Sequence, residues 1–161
     1  MNMEARIARL RALLSENLVD ALLVTKEENV HYFSGFCGDS TVLLVTHERL
    51  LLVTDSRYTE QAALQAPLYE VVEQRDGLYQ KVAELAADVD VVSLAFEGGA
   101  LVYNHVVKLR GFLGDIPLDT PLNLDSLRQV KDGDEIALIR RACAIADAGF
   151  AHIIAYIEPG M

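Results

Sequence analysis

Ile7, Leu10, Leu14 and Leu18 recur at helical spacing, which predicts an amphipathic helix over about Met3 to Asn17. Ala21-Leu22-Leu23-Val24 follows as a short apolar run, read as a buried strand, and Lys26-Glu27-Glu28-Asn29 interrupts it. Thr41–Thr46 and Leu50–Thr54 are apolar and partly β-branched, with only His47-Glu48-Arg49 between them. They predict a hairpin covered on both faces. From Ser56 to Gln65 the pattern turns helical until Pro67, with Asp55 or Ser56 as its cap. Tyr69–Glu73 reads as a strand, and Leu78, Val82, Leu85 and Ala86 as a helix. Val91–Phe96 reads as a strand, Gly98-Gly99 as a turn, Val102–Phe112 as a helix, and Ile116–Leu118 as a last short strand. Strands alternating with helices predict an α/β domain, three layers deep, and the early hairpin makes its sheet mixed.

The pattern changes after Pro121. Lys131-Asp132-Gly133-Asp134-Glu135 opens a long helix, with Asp132 as N-cap and two acids at the positive end of the helix dipole. Ile136, Ile139, Cys143, Ala146, Phe150, Ile153 and Ile157 step alternately by three and four along it. That stripe runs about three heptads, over a helix of about 25 residues and ~37 Å. Nothing after Pro159-Gly160-Met161 is present to cover it. The expectation is that it belongs against a partner or a domain outside this sequence.

Composition sharpens the picture. With 161 residues the chain suits one domain, or one domain and a fragment of another. A hydrophobic content of 52% and mean hydropathy of +0.21 exclude disorder. The apolar runs are far shorter than the ~20 residues of a membrane span, and Met1–Arg11 lacks the apolar core of a signal peptide. A net charge of −10 argues against a nucleic-acid partner. Two cysteines make no disulfide scaffold, so a reduced, cytoplasmic setting is expected.

Candidate chemistry is sparse. His31, His47, His105 and His152 form no metal-ligand spacing, and Cys37 and Cys143 form no zinc knuckle. His31, Asp39 and Ser40 can be assembled into a nucleophilic set, but no Gly-x-Ser-x-Gly elbow supports it, and Gly38-Asp39-Ser40 reads as a loop entering a strand. Cys37 and Cys143 read as small packing side chains. Gly98-Gly99 lacks a phosphate-binding pattern, and Glu97 beside it would repel phosphate. Two segments are richer: Asn29–Phe36, with three aromatics and a histidine, and Asp55-Ser56-Arg57-Tyr58 directly after a strand. Strand ends are where open α/β sheets carry sites. The plainer reading pairs Arg57 with Asp55 and packs the aromatics at the core edge.

These segments, taken in order, resemble the N-terminal domain of the creatinase/prolidase metallopeptidase family. The resemblance rests on Asp20–Val24, on Asn29-x-x-Tyr32-Phe33-Ser34-Gly35-Phe36, and on Leu52-Val53-Thr54-Asp55-Ser56-Arg57-Tyr58-x-x-Gln61-Ala62. Phe96-Glu97 and Arg128-x-x-Lys131-Asp132-x-x-Glu135-Ile136-x-x-Ile139-Arg140-x-Ala142 complete it. Phe33 and Asp39 depart from the family pattern.

The resemblance implies a ribonuclease H-like mixed sheet flanked by helices over residues 1–130. Residues 131–161 are then the linker and first helix of a "pita-bread" catalytic domain that continues past Met161. That continuation would bind two divalent ions (Mn, Co or Zn), and this segment holds no catalytic or metal residues. The implied parent is an Xaa-Pro dipeptidase or aminopeptidase acting on proline-containing peptides. Its implied partners are its own catalytic domain and a second copy in a homodimer, with no nucleic acid or membrane. In that setting the N-terminal domain assists dimerisation and narrows the partner's active-site mouth. Phe36, Arg57 and Tyr58 match the loops that reach that mouth. An arginine there would hold a substrate carboxylate, and an aromatic would close over proline. Alternatives are a non-catalytic peptide-binding module of the same fold, a creatinase-type amidinohydrolase parent, and a self-contained hydrolase using Ser40 or Cys37.

Overall fold

A computed structural model describes residues 3–161. One compact unit ends at Leu127, and a second runs from Arg128 to Met161. In the first, β1 (Ala21–Val24), β2 (Val42–Thr46), β3 (Leu50–Thr54), β4 (Glu70–Glu73), β5 (Leu94–Glu97) and β6 (Thr120–Leu122) form one sheet. Its spatial order is β4-β3-β2-β1-β5-β6. The β2 strand runs antiparallel to both β1 and β3, whereas β3–β4, β1–β5 and β5–β6 are parallel. Five strands therefore point their carboxyl ends at one rim, and β2 alone begins there.

Both sheet faces are covered, as the unbroken apolar strands require. Leu22, Val24, Leu43, Val45 and Leu52 pack on one face with Ile7, Leu10 and Leu14 of α1 (Met3–Asn17) and Val30 and Phe33 of α2 (Glu27–Ser34). Ala62 of α3 (Thr59–Gln65) joins that layer. Ala21, Leu23, Leu44, Leu51 and Val53 face Val82 and Ala86 of α4 (Leu78–Asp88) and Leu109 and Leu113 of α5 (Tyr103–Leu113). Period-two alternation sends neighbouring residues of one strand into opposite layers. Each fully buried leucine contributes roughly 1.5–3 kcal/mol of transfer free energy.

Several local expectations shift. Residues 27–34, read as an interruption and a loop, form α2. Its two turns are too short for a clear period, but Glu27 and Glu28 suit its positive end and Gly35 closes it at φ +82°. The strand expected from Val91 starts at Leu94. Residues 92–93 are instead tied to Asp20, whose Oδ2 accepts from Val92 N and Ser93 Oγ. The last strand is Thr120–Leu122 and not 116–118, because Ile116 N turns back to Leu113 O. Pro121 is tolerated there on the sheet's outer strand. The third helix starts at Thr59, without the side-chain cap expected from Asp55 or Ser56. Cys37 and Cys143, expected to pack, are both exposed.

The second unit contains α6 (Gly133–Tyr156). Asp132 Oδ1 accepts from Glu135 N at 2.8 Å and Glu135 Oε2 accepts from Asp132 N at 2.9 Å, a reciprocal capping box. None of its residues is buried, and Ile139, Phe150 and Ile153 of the stripe are exposed. Among the described residues no helix is long and apolar enough to cross a membrane.

Candidate functional site

The loop entering β2 and the turn leaving β3 meet on the rim, because β2 runs against its neighbours. Asp55 organises the turn. Its Oδ1 accepts from Arg57 N at 3.0 Å, and its carbonyl accepts from Tyr58 N at 3.1 Å. The Arg57 guanidinium then folds back, with Nε donating to Asp55 Oδ1 at 3.0 Å and Nη2 to Oδ2 at 2.7 Å. Nη2 also reaches Ser40 Oγ at 3.4 Å and lies 3.6 Å from Asp39 Oδ1.

The opposing loop is held from three sides. Gln61 Nε2 donates to Cys37 O at 2.6 Å, and Gln65 Oε1 accepts from Cys37 N at 2.9 Å, so α3 clamps it. Phe36 N donates to Ser34 Oγ at 3.1 Å. Thr41 Oγ1 donates to Asp39 O and shares a 2.8 Å hydrogen bond with Thr54 Oγ1, linking the start of β2 to the end of β3. A Cβ on Gly38 would stand 2.6 Å from the Phe36 ring and 3.2 Å from Tyr58, so only glycine lets the loop pass.

The two aromatics pack edge to face, with ring centroids 5.8 Å apart. Phe36 is 1% exposed, whereas Tyr58 is half-buried. Phe36 therefore belongs to the core. Its ring backs that of Tyr58. The Arg57 side chain is 62% exposed.

Electrostatics follow this geometry. Arg57 holds the Asp55 carboxyl below the ordinary carboxylate range, and Asp55 pushes the guanidinium further up. A hydrogen bond with Asp39, then burial, raises the Tyr58 phenol. One cation and two carboxylates leave the cluster at −1 in formal charge. Of the five guanidinium N–H donors, the two on Nη1 lie away from the Asp55 grip.

The nucleophilic set does not assemble. Ser40 Oγ accepts from Arg57, and His31 Nδ1 shares its hydrogen bond with Phe36 O. Among the described residues no three His, Cys, Asp or Glu side chains converge where a metal ion could sit. The two divalent ions that the resemblance assigns to the continuing chain find no ligand set among these residues. Sequence reasoning brought Arg57 and Tyr58 together but missed Asp39 and Ser40 as partners of Arg57, and Gln65 as a clamp. A carboxylate three residues beyond Phe36, in a glycine loop, was the available signal.

A mixed sheet with five carboxyl ends on one rim, one reversed strand and helices on both faces defines the architectural class. Within it, the chain belongs to the creatinase/prolidase N-terminal domain family, whose model matches residues 6–130. A peptidase from Bacillus subtilis whose own function is uncharacterised is 30% identical over 158 residues, covering 97% of this chain and 44% of that protein. The solved Xaa-Pro dipeptidase from Bacillus anthracis superposes with a TM-score of 0.89 at 33% identity, covering 99% of this chain and 45% of that one. The N-terminal domain of the cytoplasmic peptidase PepQ from Mycobacterium tuberculosis superposes with a TM-score of 0.67 at 36% identity, covering 77% of this chain and 98% of that one. The chain thus spans less than half the length of its full-length relatives.

Proposed function

We propose that this chain is the N-terminal domain, with the first helix of the catalytic domain, of an Xaa-Pro dipeptidase. The carrying observation is the 99% coverage of this chain by 45% of a dipeptidase chain of known structure. In this reading the continuing chain would hold two divalent ions, which would supply activation of a water at the Xaa-Pro bond. The present residues gate the substrate and assist homodimer assembly. Tyr58, backed by Phe36, forms the aromatic lip. Arg57, gripped by Asp55 on one edge, offers Nη1 to the substrate carboxylate. The exposed stripe of α6 is covered by the remainder of the catalytic domain. The setting is cytoplasmic.

The test is hydrolysis of a proline dipeptide with added Mn by the full-length protein and by residues 1–161. Turnover is expected from the full-length protein alone. Arg57→Ala or Tyr58→Ala in the full-length dimer should raise KM several-fold more than it lowers kcat. Robust turnover by residues 1–161, or none by the full-length protein with its metals bound, overturns the reading.

A further inference from the structure

The chain leaves β1 toward β2 on one side and returns from β4, by way of α4, to lay β5 on the other. Between β1 and β5 the connections diverge, and the crevice outside such carboxyl ends is where open α/β sheets take ligands. Here the protein places one of its own side chains in it. Glu97, the last residue of β5, is 3% exposed. Its Oε2 accepts from Thr25 N at 2.5 Å and Lys26 N at 2.8 Å, the two residues joining β1 to α2. Its Oε1 accepts from Asn29 Nδ2, inside the first turn of α2.

The N-cap residue of α2, Lys26, offers no side-chain cap. Its ammonium instead holds Asp125, at 3.0 and 2.8 Å. A carboxylate from the end of another strand thus takes the place a capping side chain or bound anion would fill at the positive end of the helix. Asn29 is 1% exposed, and its Oδ1 is buried without a partner. That is the orientation an acceptor-only carboxylate imposes, since the amide must turn its NH2 to Glu97 and leave its oxygen unmatched. A cleft of about 370 Å3, lined in part by Lys26, Glu97, Gly98 and Asp125, opens beside the carboxylate.

We infer that Glu97 is the built-in anion of this crevice and a positioning residue for the Arg57–Tyr58 rim. Its carboxylate fixes the start of α2. The helix is only eight residues long and ends at Gly35, and the next residue is Phe36, on whose ring Tyr58 rests. The anchor and the aromatic pair are thus opposite ends of one short rod of ~12 Å. The inference rests on the proposed function only in calling that rim substrate-facing.

The test uses residues 1–161 without peptide, so its failure is separate from failure of the peptidase assay. It reads the unfolding midpoint and the Tyr58 ring-proton shifts in sodium formate and in sodium chloride at equal ionic strength. Glu97→Ala is expected to lower the midpoint and displace the Tyr58 shifts. Formate, small enough to enter the vacated carboxylate position, should restore both saturably. Chloride should restore neither, and the unsubstituted protein should not respond. In Glu97→Gln the new amide oxygen can accept from Thr25 and Lys26, while its NH2 donates to Asn29 Oδ1 once Asn29 turns over, so Tyr58 should stay in place.

A second comparison covers the case in which Glu97→Ala does not fold. Asn29→Asp sets two carboxylates together and should be destabilising. In the Glu97→Gln background the same change should be far less so, because the carboxylate it introduces can accept from the new NH2. Tyr58 shifts unmoved by Glu97→Ala, formate no better than chloride, or strictly additive effects in the second comparison each overturn the inference.

Discussion

Arg57 closes on Asp55 with one edge of its guanidinium, Nε to Oδ1 at 3.0 Å and Nη2 to Oδ2 at 2.7 Å, while Asp55 Oδ1 also accepts from the Arg57 backbone N–H at 3.0 Å. One carboxylate therefore fixes both the turn and the side chain it presents. Lysine cannot reproduce a two-point grip. The Arg57 side chain is thus exposed at the rim and yet held in one orientation.

The first prediction concerns that carboxylate. Because Arg57 lowers its pKa, the folded state favours the ionised form. The corresponding stabilisation is present above the ordinary aspartate range and is lost as pH falls through the depressed value. An NMR titration should place the Asp55 midpoint below that of an unperturbed aspartate. Arg57→Gln should move it upward. An unchanged midpoint would mean that the pair does not persist in solution.

Tyr58 titrates in the opposite sense. Its phenol is held above the ordinary value, first by the hydrogen bond with Asp39. Asp39→Asn should lower the tyrosinate midpoint followed by ultraviolet absorbance, with little change in circular dichroism. A midpoint that stays put would detach Asp39 from the rim.

Phe36 and Tyr58 should separate in stability. Phe36 is fully buried, so Phe36→Ala should cost about 3–5 kcal/mol in urea unfolding. Tyr58→Ala removes a half-buried ring at the surface and should cost clearly less. Equal losses would argue that the two rings are not stacked as core and cover.

The glycine pair after β5 gives an internal control. A Cβ on Gly98 would stand 2.6 Å from Pro121 Cβ, whereas one on Gly99 meets nothing within 4 Å. Gly98→Ala should cost about 1–3 kcal/mol by forcing β5 and β6 apart. Gly99→Ala, with no such neighbour, should cost less in the same urea titration.

The start of α6 depends on its capping box. Asp132→Ala should destabilise the helix by about 1 kcal/mol, read as faster amide exchange over residues 134–136. Exchange unchanged from the parent chain would show that the box is not holding this end.

Much of this fold was legible in the sequence because its strands are unbroken apolar runs and α1 has a clean helical period. The hairpin, the covering of both sheet faces and the long last helix follow from those patterns. What escaped was settled by single contacts. Asp20 ties down residues 92–93 just ahead of β5, and Ile116 turns back to Leu113 before the last strand begins. At the rim, adjacency in sequence revealed the Asp55–Arg57 pair. Asp39 and Ser40 reach it only through strand pairing, which no local pattern encodes. In sequence Glu97 reads as repelling a visiting anion. The structure makes it the resident one, since Thr25, Lys26 and Asn29 come to it from more than sixty positions away along the chain.

The reversed direction of β2 has a practical side. It sends the turn at His47–Arg49 to the far end of the sheet from Arg57 and Tyr58. A fluorophore or affinity tag grafted into that turn would report on the molecule while leaving the Arg57–Tyr58 rim untouched.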